Sequence, residues 1–138
     1  MASLSESVRR FIEERFDKEY NGAVGVLASM GVDGKPNAAP KHFRVRNSEH
    51  LEFTDVFSHT LGDVLKKTPD VTIIFVDPKA VIGYRMKGTA ELETFGPLFQ
   101  QAANHLQNMG FKPKAVVSIK LDEVQSLSYS PVTGKTIG

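Results

Sequence analysis

The stretch Ala23-Val24-Gly25-Val26-Leu27-Ala28-Ser29-Met30-Gly31-Val32-Asp33-Gly34-Lys35-Pro36-Asn37-Ala38-Ala39-Pro40-Lys41-His42-Phe43-Arg44-Val45-Arg46 decides how this chain folds. Two extended runs flank Gly31 to Gly34, and Asp-Gly suits a tight turn because both residues tolerate positive φ, so the pair reads as a β-hairpin. A second turn over Asn47 to His50 leads into Leu51 to Asp55, giving three antiparallel strands in succession. On the second strand, alternation places Lys41, Phe43 and Val45 on one face and His42, Arg44 and Arg46 on the other.

N-terminal to the hairpin, Leu4, Val8, Phe11, Ile12, Phe16 and Tyr20 share one helical face, which predicts a helix over Leu4 to Tyr20. Ser3 and Glu6 read as its capping box and Asn21-Gly22 as its stop. On the other side, Ser58 to Lys67 reads as a short helix with Leu61, Val64 and Leu65 on one face. Val71 to Val76 is β-branched and bounded by Asp77-Pro78, and Val81 to Glu93 alternates as a long strand, with bulges or close approaches expected at Gly83 and Gly88. Gly96-Pro97 opens a third helix bearing Leu98, Phe99, Ala102, Leu106 and Met109, and Gly110 closes it. Ala115 to Leu121 is the last strand, extendable over Val124 to Tyr129. This order predicts a mainly β, α+β fold: one domain over residues 1–138, with about six antiparallel strands in a closed or half-closed barrel and three peripheral helices.

Composition narrows the function classes. A net charge of +1 is too small for a domain that binds nucleic acid by bulk electrostatics. With no cysteine, disulfides, thiolate metal sites and a cysteine nucleophile are all excluded, so redox chemistry would require a cofactor. The four histidines form no metal motif, and no phosphate-binding Gly-rich loop or nucleophile elbow occurs, so no metal is expected and no catalytic residue is assigned. The longest apolar run, Val71 to Val76, is far too short to cross a bilayer, which makes a cytoplasmic location the expectation.

Two stretches can carry binding chemistry. Ser58-His59-Thr60 puts two hydroxyls and an imidazole at the start of the short helix, where free N–H groups receive an anion, although on local sequence Ser or Thr there reads first as a cap. Lys41 to Arg46 supplies cations on the second strand, although by itself that stretch reads first as a solvated strand face that discourages edge pairing. If the second and third strands pair, Lys41 lies near that helix start and the two stretches make one anion pocket.

Taken together, Val24 to Ser29, Asp33 to Pro40, Leu51 to Asp55, Ser58 to Thr60 and Arg85-Met86-Lys87-Gly88-Thr89-Ala90-Glu91 resemble the pyridoxamine-5′-phosphate-oxidase-related flavoproteins, the short FMN-binding proteins above all. The resemblance runs from about Phe11 to Leu127. It implies a split β-barrel homodimer holding FMN between subunits. It also implies Pro40, Lys41 and His42 beside the isoalloxazine ring, Thr54, Asp55 and Val56 along its edge, and Ser58, His59, Thr60 and Leu61 around the phosphate. Such proteins often place Lys or Arg at the helix start, where this chain has His59 and Leu61, so Lys41 or Arg44 is expected to supply the missing charge. The C-terminal arginine motif of true pyridoxamine phosphate oxidases is absent, so vitamin B6 oxidation is not expected. The implied function is small-molecule redox or electron transfer with FMN, against a non-catalytic flavin-binding or sensing module, or a deazaflavin or haem in the flavin's place.

Overall fold

A computed structural model describes residues 2–58, 60–128, 131 and 133–138. Six strands, β1 (Ala23–Met30), β2 (Pro36–Asn47), β3 (His50–Asp55), β4 (Asp70–Asp77), β5 (Ile82–Glu93) and β6 (Ala115–Ser126), close into a barrel. Around it they run β1-β2-β3-β6-β5-β4, every neighbouring pair antiparallel. Helices α1 (Glu6–Glu13), α2 (Leu61–Lys67) and α3 (Pro97–Gln107) pack mainly on β2, β5 and β6 respectively.

Period-two alternation fills the barrel. Phe43, Phe53 and Phe75 are buried within it, Phe43 meeting the other two edge-on at centroid distances of 5.4 and 5.6 Å. Burying one such ring contributes about 1.5–3 kcal/mol, and edge-to-face contact adds to that. Val8, Phe11 and Ile12 of α1 join the same core, with Phe11 against Tyr84. β5 carries its irregularity where glycine was expected to permit one: the β5–β6 register shifts between Lys87 and Gly88, and a side chain at Gly88 would collide with the Lys120 carbonyl.

The ladder between β2 and β3 is short, and this positions the site. It runs only from Arg44↔Glu52 to Asn47↔His50. Past Arg44, residues 36–43 continue on β1 alone, while Phe53, Thr54 and Asp55 continue on β6 alone. The barrel is thus split along one seam.

Three boundaries differ from expectation. Ser5, not Ser3, caps α1, accepting from the Val8 N–H at 3.3 Å. The helix ends at Glu13 because the chain tightens, Arg15 N–H donating to Ile12 and Phe16 N–H to Glu13, before Asp17 bridges to Gly22. Phe16 and Tyr20 are therefore 40% and 55% exposed rather than part of a core face. α2 begins at Leu61, not Ser58, and neither hydroxyl caps it: Ser58 Oγ donates to Asp55, and Thr60, at the cap position, makes no cap bond.

At the far end, β6 runs unbroken to Ser126, and Tyr129, the limit of its expected extension, lies outside the described residues. Beyond it the chain returns, with Ser126 N–H donating to Lys135, Ile137 N–H to Val124 and Val124 N–H to Gly138. This covers the end of β6 opposite Ala115, the residue paired with Asp55. No helix among the described residues is long and apolar enough to cross a membrane.

Candidate functional site

Two adjoining clefts open at the seam. The larger, about 370 Å³, is lined by Pro40, Lys41, His42 and Arg44 from β2, Thr54 and Asp55 from β3, and Val56 and Ser58 from the turn that follows. The smaller, about 240 Å³, lies between the β1–β2 hairpin and the start of α2, and Lys41, Ser58, Thr60 and Leu61 line it. Lys41 and Ser58 belong to both and mark their junction. Ten of the eleven residues singled out from the sequence thus line one cleft or the other, and His59 lies outside the described residues.

Strand alternation aims Lys41 inward, its Nζ 5.6 Å from the Phe53 ring centroid, and among the described residues no carboxylate pairs with it. Arg44 points outward and its charge is engaged: Nε lies 3.4 Å from Glu52, a residue 8% exposed, and Nη2 donates to Thr54 Oγ1 at 3.2 Å. Of the two cations expected to complete an anion site, Lys41 alone is uncommitted, because a buried carboxylate holds its own counter-charge strongly.

Asp55 is buried beside the junction, and one of its oxygens accepts from both the N–H and the hydroxyl of Ser58. Ser58 is thereby folded back on its own strand end, and its donors are in use. On the outer side of the same turn, the backbone N–H of Lys114 donates to the Asp55 carbonyl at 2.8 Å and its Nζ donates to the Ser58 carbonyl.

The opposite wall of the larger cleft was not anticipated as part of a site. It consists of Ala102, His105, Leu106 and Met109 on α3 with Phe57 and Phe111, whose rings meet edge-on at 5.2 Å. The spacing of Ala102, Leu106 and Met109 reads as a core face, yet only Ala102 is buried and Met109 is 45% exposed. Nothing in the sequence says that this face looks across the β2–β3 split. The mouth is edged by Tyr20, stacked on His42 at 5.0 Å. Among the described residues, no group of three or more His, Asp or Glu side chains is arranged to hold a metal.

The arrangement suits an elongated ligand: a mostly apolar cleft leading past Lys41 into a smaller chamber of mixed polarity. Comparison with known proteins agrees with the architecture. A sequence model of pyridoxamine 5′-phosphate oxidase matches residues 5–128. An uncharacterized protein of Methanocaldococcus jannaschii is 29% identical over 140 residues, covering 97% of this chain and 92% of that protein. The crystal structure of Group A Streptococcus HupZ superposes with a TM-score of 0.79 at 23% identity, over 98% of this chain and 99% of that one. An F420 reductase superposes with a TM-score of 0.58 at 18% identity, over 74% and 88%.

Proposed function

This chain belongs to the pyridoxamine 5′-phosphate oxidase family, and from that premise we propose that it is an FMN-binding flavoprotein acting in small-molecule redox or electron transfer, assembled as a homodimer. The observation that carries the reading is the pair of clefts meeting at Lys41 and Ser58, because together they offer room for one ligand with a planar ring and a phosphate tail. Pro40, His42 and Thr54 flank the ring, with the apolar α3 wall opposite to exclude water. Lys41, Thr60 and Leu61 receive the phosphate, and Ser58 joins them on release from Asp55. FMN, when bound, supplies reversible one- and two-electron transfer; the protein sets its exposure and surroundings.

The test is an absorbance spectrum of freshly purified protein, then titration of the stripped protein with FMN, riboflavin and FAD. Flavin bands and FMN binding at least about tenfold tighter than riboflavin are expected, since a charge-assisted contact to phosphate is worth that much. Indifference to all three overturns the reading. Reduction of bound FMN by NAD(P)H and reoxidation by an acceptor would distinguish turnover from a storage or sensing role. The likeness to an F420 reductase supports deazaflavin binding as a second reading, tested by the same titration with F420.

A further inference from the structure

We infer that Tyr20 is a further contact for the ligand's planar ring, the aromatic residue that meets it at the mouth of the larger cleft, an inference that rests on the FMN reading above. Placement is the first ground. Tyr20 and His42 both line that cleft, and their rings stack at 5.0 Å with an interplanar angle of 19°. His42 is exposed and Tyr20 is 55% exposed, so the stack covers no core. Leu106 and Met109 of α3 stand on the far wall of the same cleft. A tyrosine ring left half open to water is unfavourable, and a planar ligand in the cleft removes that cost while gaining a stacking contact.

The second ground is the mounting. The Asp17 N–H donates to the Gly22 carbonyl at 2.9 Å and the Gly22 N–H to the Asp17 carbonyl at 3.2 Å, which closes the turn that bears Tyr20. Within it the Glu19 N–H donates to the Asp17 side chain at 2.8 Å, and Asn21 turns the chain at φ 56°, a left-handed conformation that asparagine tolerates. Gly22 then lies directly on β2, where a Cβ would stand 2.7 Å from the His42 carbonyl carbon. The turn is thus pinned to the strand at the residue on which Tyr20 stacks. A ring held in place before the ligand arrives loses little freedom on binding. Among the described residues Tyr20 is the only tyrosine lining either cleft, Tyr84 being packed against Phe11, and the chain has no tryptophan.

A phenol is an electron donor and the oxidised isoalloxazine ring is electron-poor. In contact, light drives one electron from the phenol to the ring and it returns without emission, so flavin fluorescence reports the contact separately from affinity. The experiment measures FMN and riboflavin affinities and bound-flavin emission for the full-length wild type, Tyr20→Leu and Tyr20→Phe. FMN bound to wild type is expected to emit only weakly. Tyr20→Leu keeps apolar bulk but removes the aromatic face, and is expected to lose about three- to tenfold in affinity for both flavins alike, since both carry the ring. Tyr20→Phe keeps the face and stays within about twofold of wild type, yet its bound FMN emits more strongly, because a phenyl ring does not give up the electron. A Leu variant that binds both flavins as wild type does, a loss confined to FMN, a wild-type complex as bright as free FMN, or a Phe variant as dim as wild type overturns the role of Tyr20 while leaving the FMN reading intact. A wild type that binds neither flavin overturns both.

Discussion

One oxygen of Asp77 accepts from the backbone N–H groups of Lys79 and Ala80, and the other pairs with Arg15 at 2.5 Å. Arg15 in turn lies 3.6 Å over the Phe11 ring, so one carboxylate ties the end of β4 to the segment after α1. The Ala80 N–H, then the Arg15 guanidinium, hold the Asp77 carboxyl below its ordinary value of 3.8. A depressed folded-state pKa means a contribution fully present above the unfolded value and lost as pH falls through the folded one. Asp77→Asn keeps the acceptor and removes the charge, so urea midpoints of variant and wild type should differ at pH 7 and converge as pH drops below about 4. A gap that persists unchanged at pH 2 refutes this. At the same scale, Lys41 and Ser58 stand out in the sequence because the residue types carry the chemistry. Lys114 does not, since its hydrogen bond is to a carbonyl fifty-six positions earlier.

Elements were legible wherever a pattern repeats. All six strands and all three helices lie where periodicity, Gly and Pro put them, because alternation and helical spacing are local signals. Their ends were not, and α1 shows why: Phe16 and Tyr20 keep helical spacing, but the Asp17–Gly22 bridge takes the chain elsewhere. The β4–β5 turn holds a comparable surprise. Val81 has φ 53°, a region costly for a β-branched residue, and its side chain is 55% exposed, so packing gives nothing back. Val81→Gly is expected to stabilise the protein by about 1 kcal/mol, visible as a higher urea midpoint; a lower midpoint would show that the turn depends on the valine.

At the scale of the molecule, the outer face of β1 and β4 matters most for assembly. Val24, Val26 and Val76 are 57%, 39% and 60% exposed there, and the register sets Val26 between Pro40 and Ile74, continuous with the rim of the larger cleft. Contiguous exposed valines on a sheet face favour association. If the proposed homodimer uses this face, wild type sediments as a dimer and Val24→Lys combined with Val26→Lys sediments as a folded monomer. A monomeric wild type removes the dimer from the proposal. The sequence by itself determined the element order and the barrel class, because turn chemistry and alternation act over a few residues. Only the tertiary structure decided that the β2–β3 ladder stops at Arg44, that α3 walls the gap, and that Arg44 is spent on Glu52 while Lys114 reaches Ser58. Those facts depend on contacts between strands and helices far apart in the chain, and no local pattern encodes them.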